Sequence, residues 1–248
     1  MKEQRSIISL LLLIVLCTGC SKGIIIKNGD LQLEIDEMMR ARLTSLNNST
    51  SSFHNNFIES DALIATEFTA SLFKLTNVSE FKEGNTSGYS LTGTYNKGGF
   101  CIEKHQKITI PENLEKILLI ETYYINRGSK DITVNGWKMN ELHIDVADTS
   151  VWSFQPTSTS RRMDWILEVK PGYYKKNFLG MNDSDYGGGI PMIDLWRRDG
   201  GIVTGLTEKT LKMISMPVQW LTHDNHASIA LTYESKEGRE ILAAGDTL

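Results

Sequence analysis

Apolar and polar residues alternate along most of this chain with a period of two. Leu31, Leu33 and Ile35 alternate with Gln32, Glu34 and Asp36; after a break at Glu37, Met39, Ala41 and Leu43 alternate with Arg40, Arg42 and Thr44. Successive strand side chains point to opposite faces, so this pattern predicts a hairpin with one buried and one wet face. Stretches of the same kind follow at 89–95, 100–110, 117–125, 131–135, 142–147, 165–169, 202–206 and 227–234. Turn signals separate them: Asn28-Gly29, Asn96-Lys97-Gly98-Gly99, Asn126-Arg127-Gly128, Asn135-Gly136, Pro171-Gly172 and Glu237-Gly238. About ten strands joined by short turns, with no sustained helical pattern, predict an all-β fold, a large sandwich of antiparallel strands.

One segment fits two patterns. In 57–75, Ile64, Phe68 and Leu72 fall at helical spacing, while Phe68, Ala70 and Leu72 also alternate as a strand would. The preceding 45–56, rich in Ser and Asn, reads as an exposed loop. The chain shows no internal repeat, Pro-rich linker or shift in composition, so a single domain is the simplest reading.

The N-terminus departs from the alternation. Lys2 and Arg5 precede an apolar run from Ile7 to Cys17, broken only by Ser9, and Thr18-Gly19-Cys20 follows. A basic start, a short apolar run and small residues at the break describe a secretory signal rather than a membrane span. The small pair before Cys20 resembles the lipobox of bacterial lipoproteins, although Cys17 stands where an aliphatic residue is usual. The resemblance implies a signal peptide at 1–19, cleavage before Cys20 and acylation of that cysteine. Ser21 is not the aspartate that retains some lipoproteins at the inner membrane, so an outer-membrane anchor is expected, tethering the chain without spanning the bilayer.

Cleavage would remove 19 of the 248 residues and leave 229. Losing Lys2, Arg5 and Glu3 takes away one net positive charge, so a formal charge of −4 becomes −5. That balance, with no clustered basic run, argues against nucleic acid as a partner. Cys101 would be the one cysteine left unmodified, which excludes an internal disulfide.

Candidate chemistry is densest between Val151 and Glu208. The order there is Trp152-Ser-Phe-Gln155, Arg161-Arg162-Met-Asp164-Trp165, Tyr173-Tyr174, Asp185-Tyr186-Gly187-Gly188-Gly189 and Asp194-Leu-Trp196-Arg197-Arg198-Asp199. Flat aromatic rings beside carboxylates and amides suit a sugar, whose CH faces stack while its hydroxyls take directional hydrogen bonds. The same residues have plainer uses: tryptophans packing a core, the glycines making a wide turn, and Asp194 and Asp199 pairing with Arg197 and Arg198 on a solvated strand.

The run 164–208, DWILEVKPGYYKKNFLGMNDSDYGGGIPMIDLWRRDGGIVTGLTE, resembles the N-terminal domain of bacterial α-galactosidases of glycoside hydrolase family 36, including Bacteroidetes forms. The opening hairpin 28–46 and Trp152-Ser-Phe-Gln155 fit that domain in the same order. The resemblance implies a β-supersandwich over 20–248 and favours strands in 57–75. In that family the sandwich precedes a barrel whose two aspartates, a nucleophile and an acid/base, carry out retaining hydrolysis of terminal α-galactosides. A barrel alone needs at least about 200 residues, so this chain is expected to lack it and to be inactive alone. No catalytic residue is assigned, and Asp164, Asp185, Asp194 and Asp199 are left out of that role. The resemblance implies a domain that supports the barrel and sends an aromatic loop toward its mouth, with Trp152, Asp185 and Tyr186 as substrate-binding candidates. An α-galactoside or related oligosaccharide, the absent barrel and a homo-oligomeric copy are the implied partners.

Other motifs are weak. His223 and His226 lie three apart before a predicted strand and lack a glutamate partner, so no metal is expected. His105 and His143 read as surface residues and Cys101 as a small core residue. There is no phosphate loop and no Gly-x-Ser-x-Gly elbow, and no cofactor is implied. Two readings remain: the N-terminal part of an α-galactosidase-like hydrolase, or a free-standing lipoprotein that binds carbohydrate through its aromatic loop. The last residues, Gly245-Asp-Thr-Leu248, follow Ile241-Leu-Ala-Ala with no evident closing strand, an open edge that favours the first.

Overall fold

The computed structural model describes residues 23–45, 56–146, 150–156, 165–176, 178–179, 192–207, 214–221, 225–235 and 240–248. The signal 1–19, Cys20, Asp164, Asp185, Tyr186, the glycine triplet, Glu237-Gly238 and most of the Ser/Asn-rich segment lie outside them.

β1 (Ile24–Asn28), β2 (Leu31–Ile35) and β3 (Ala41–Ser45) form a three-stranded sheet. After β4 (Ala62–Ala65) and β5 (Thr69–Ala70), four long strands make a meander: β6 (Lys74–Glu83), β7 (Thr86–Lys97), β8 (Phe100–Pro111) and β9 (Leu119–Asn126). β10 (Ile132–Asp145) follows, then β11 (Val151–Phe154), β12 (Ile166–Val169), β13 (Tyr174–Lys175), β14 (Phe178–Leu179), β15 (Met192–Arg197) and β16 (Gly200–Gly205). The described strands end with β17 (Ile214–Ser215), β18 (Val218–Leu221), β19 (His226–Glu234) and β20 (Glu240–Leu242). β12-β11-β15-β16 form a second four-stranded sheet. A nine-stranded sheet runs β13-β18-β19-β10-β4-β5, with β17 also on β19, β14 on β17 and β20 on β10. All of these pairings are antiparallel, and no helix occurs among the described residues. The all-β expectation holds, and 57–75 yields β4, β5 and the start of β6.

Two sequence expectations need correction. Asn135-Gly136 is not a turn between strands 131–135 and 142–147; both belong to β10. The register slips between Val134 and Gly136 against β4, and between Met139 and Leu142 against β19. Each slip is a bulge that inserts one residue and changes the parity of the alternation. The apolar positions therefore step as Ile132, Val134, Trp137, Met139, Leu142 and Ile144 and stay on one face. Gly136 is required at the first bulge, because a Cβ there would lie 2.1 Å from the Tyr233 carbonyl oxygen. The chain end is also not an open edge: β20 pairs with β10, and the Leu248 N–H donates to the Tyr124 carbonyl at 2.8 Å.

The buried residues fall into two clusters, and β10 feeds both. Ile132 and Val134 join Ile26, Leu63, Phe73, Leu91, Ile102 and Ile108; Ile144 joins Val151, Ile193, Leu195, Val218 and Ile229. A polar network crosses the first cluster. On β8 the buried row is Ile102, Lys104, Gln106 and Ile108. Lys104 pairs with Asp61, both side chains 1% exposed, and Gln106 Nε2 donates to the same carboxylate at 3.1 Å. The other Asp61 oxygen accepts the Asn140 N–H at 2.8 Å. Burial alone would raise the Asp61 carboxyl, but the adjoining ammonium and these hydrogen bonds hold it below its ordinary value. The network ties the 57–61 segment to the second bulge of β10.

Candidate functional site

The aromatic candidates lie on a sheet face rather than a loop. Trp152 sits in β11, opposite Glu168 on β12 and Trp196 on β15, and Trp196 lies opposite Gly201 on β16. Cross-strand partners share a face, so Glu168, Trp152, Trp196 and Gly201 form one row. Ile166, Phe154, Asp194 and Val203 form the next. Ile166, Trp152 and Val203 are exposed, while the alternate residues Val151, Ser153, Ile193, Leu195 and Ile202 are buried beneath them. Gly201 permits this row: a Cβ there would lie 2.5 Å from Trp196 Cβ. Asp194 is the carboxylate amid these apolar side chains, and its half-burial raises its pKa, partly offset by the Leu195 N–H. Trp165 meets Phe154 edge-on, with ring centroids 6.2 Å apart.

Neighbouring residues take the plainer roles. Arg197 forms a fork with Asp199 at 2.8 and 2.9 Å, and its third nitrogen donates to the Asp145 carbonyl at 2.6 Å, joining β15 to the end of β10. Gln155 is buried; its amide donates to the Lys175 carbonyl at 2.9 Å and its oxygen accepts the Tyr173 hydroxyl at 2.9 Å. That amide is therefore structural. Asp185 and Tyr186, the remaining candidates, lie outside the described residues.

A second constellation escaped the sequence reading. A cavity of about 290 Å³ is lined by Arg40, Phe57, Ile58, Glu59, Lys138, Glu141 and His143. Three segments build it. The turn between β2 and β3 is organised by Asp36, whose carboxylate accepts the Met38 and Arg40 N–H groups at 2.9 Å and the Arg40 guanidinium at 2.7 Å. Ala41 and Ile58 exchange two backbone hydrogen bonds of 2.9 Å, strapping 57–59 beside β3. Arg42, paired with Glu34 at 2.6 Å, lies over the Phe57 ring at 4.6 Å. The third segment is β10, where Asn140 adopts φ 52° at the second bulge and the Glu141 N–H donates to the Ser60 carbonyl at 2.9 Å.

That bulge sets the chemistry. The parity change brings Lys138, Glu141 and His143 onto one face, opposite the apolar row. Glu141 accepts from the Lys138 ammonium on one oxygen and from His143 Nε2 at 2.8 Å on the other. Burial would raise the Glu141 carboxyl, yet the His143 hydrogen bond and the Lys138 charge together hold it at about 2. His143 is not the surface residue expected of it. The alternation gives its face correctly, but the 57–59 strap lies beside that face, leaving the side chain 10% exposed and stacked on the buried His226 with centroids 4.3 Å apart. The sequence signal was the shift in apolar spacing from Trp137 and Met139 to Leu142 and Ile144, which announces the bulge. His223 lies outside the described residues, and among those described no group of three His, Cys, Asp or Glu side chains could hold a metal.

No protein-family model matches the chain, and no curated protein matches it. Solved structures do share its fold. The family 36 α-galactosidase AgaA of Geobacillus stearothermophilus superposes over 92% of this chain and 39% of its own, with a TM-score of 0.57 at 10% identity. The α-galactosidase of Lactobacillus brevis does so over 91% and 38%, with a TM-score of 0.62 at 10% identity. A galactose mutarotase-like protein of Clostridium acetobutylicum matches over 91% of this chain and 92% of its own, with a TM-score of 0.56 at 8% identity. At such identities the likeness is one of fold. This chain spans about two-fifths of the length of the α-galactosidases it matches. Variants of the Geobacillus enzyme have been crystallised with raffinose and with stachyose.

Proposed function

We propose that this chain is the non-catalytic N-terminal domain of an α-galactosidase-like glycoside hydrolase, supporting a barrel that acts on terminal α-linked galactosides. The supporting observation is a fold shared along nearly the whole of this chain with only two-fifths of such enzymes. The row of Trp152 and Trp196, with Asp194 beside it, is the surface that would meet the barrel or its substrate. Trp152, with Asp185 and Tyr186, would lend the aromatic contact. The test joins a catalytic barrel to this chain and measures raffinose hydrolysis. Trp152→Ala is expected to lower kcat/KM about fivefold, the loss of about 1 kcal/mol of ring contact. Unchanged kinetics in Trp152→Ala and Tyr186→Ala would remove the contact and leave only support.

In the same reading the protein is exported and anchored by acylated Cys20. Cys20→Ser is expected to abolish incorporation of labelled fatty acid, and labelling that persists in the variant would contradict the anchor. A second reading is a free-standing sugar-binding lipoprotein. It draws on the Clostridium acetobutylicum protein, nearly all of which this fold spans.

A further inference from the structure

The geometry points to the cavity between β3, the 57–59 strap and β10 as a binding site for one neutral sugar ring, made wholly by this chain. It needs no barrel and does not involve the Trp152 face, so it stands or falls apart from the barrel-supporting function proposed above.

The size limits the ligand first. About 290 Å³ lies at the lower edge of small-molecule sites, which run from about 300 to 1,000 Å³. That room suits a single ring and not a trisaccharide. The charge limits it further. Two lining side chains are cationic, Arg40 and Lys138, and two are anionic, Glu59 and Glu141. The cations already hold carboxylates: Arg40 bonds Asp36 at 2.7 Å, and Lys138 bonds Glu141. With Asp36 counted, the excess charge is one negative, on exposed Glu59, so an anion meets no net attraction, while a cation finds Asp36 and Glu141 already bonded to Arg40, Lys138 and His143. A hydroxyl group differs, because it accepts from an ammonium or guanidinium while donating to a carboxylate. Closely spaced pairs of opposite charge are what several adjacent hydroxyls can use together. Phe57 adds the apolar lining that a ring's CH face needs.

The site is built to hold and not to react. Glu141 accepts from Lys138 and His143 and stays ionised down to about pH 2, which makes it a dependable acceptor and a poor proton-abstracting base. The same two bonds fix its direction, and the bulge at Asn140-Glu141 is fastened by Ser60 and Asp61. The ligand's acceptor is thereby pre-positioned at little further entropic cost.

The test titrates the folded chain with D-galactose and follows backbone and imidazole resonances by NMR. Saturable shifts are expected at Phe57, Glu59, Lys138, Glu141 and His143, with a dissociation constant on the order of millimolar. Glu59→Gln, at an exposed position, should weaken binding a few-fold, and Glu141→Gln by at least about tenfold. Should Glu141→Gln fail to fold, the mapping on the unaltered chain and Glu59→Gln still decide. Inorganic phosphate and D-galacturonate should bind more weakly than galactose. An absence of shifts with galactose, shifts confined to Trp152 and Trp196, or tighter binding of phosphate would each overturn the assignment.

Discussion

Glu141 concentrates the residue-scale consequences. Its folded pKa of about 2 lies below its ordinary 4.5, so it contributes stability that is fully present above about pH 4.5 and is lost as pH falls through about 2. The shift corresponds to on the order of 3 kcal/mol. Glu141→Gln is expected to lower stability by about that amount at pH 7, with the two proteins converging near pH 2; thermal melting against pH reads this directly. Asp61 gives a sharper case. Removing its charge strands the Lys104 ammonium in the core, and Asp61→Asn should cost roughly 3–5 kcal/mol in urea unfolding. Neither residue was legible as a site. Lys104 and Gln106 stand in a buried row because their partner, Asp61, arrives from 43 and 45 positions away, and the alternation of β8 carries no trace of it.

At the scale of elements, the hairpin period was readable wherever both faces kept their character. β2, β7, β8 and β9 fall close to the alternating stretches, since one face of each meets a core, and β19 falls on its stretch although 226–231 is buried throughout. β10 was split because Asn-Gly is a strong turn signal, while here it serves as a bulge under close backbone approach. Gly136→Ala tests that account: the added Cβ meets a carbonyl and cannot be relieved by a side-chain rotation, so a loss of roughly 2–3 kcal/mol is expected in urea unfolding. A variant as stable as the parent would show that the β10–β19 ladder yields at this point. Short strands such as β5, β13, β14 and β17, of two residues each, were beyond reach because two residues carry no period.

For the whole molecule, the sequence pattern announced an all-β sandwich, and the resemblance named the kind of enzyme that contains one. The placement of chemistry followed less well. Trp152 was expected on a loop reaching toward the barrel mouth and instead stands exposed on a strand beside Trp196, because a four-residue strand between Asp-Thr-Ser and Pro-Thr-Ser sequence reads as loop. The polar cavity went unread because its three segments are separated by long intervals of chain and meet only through the Ala41–Ile58 bridge and the β10 bulge. Two surfaces carry the proposed readings, an aromatic sheet face for the barrel and a polar cavity for one sugar ring, and in those readings hydrolysis belongs to the barrel and to neither surface. Galactose release from raffinose is the most direct measurement of that conclusion. The purified chain is predicted to release none, and the same chain joined to a catalytic barrel to release it steadily; sustained release by the chain alone would contradict the account.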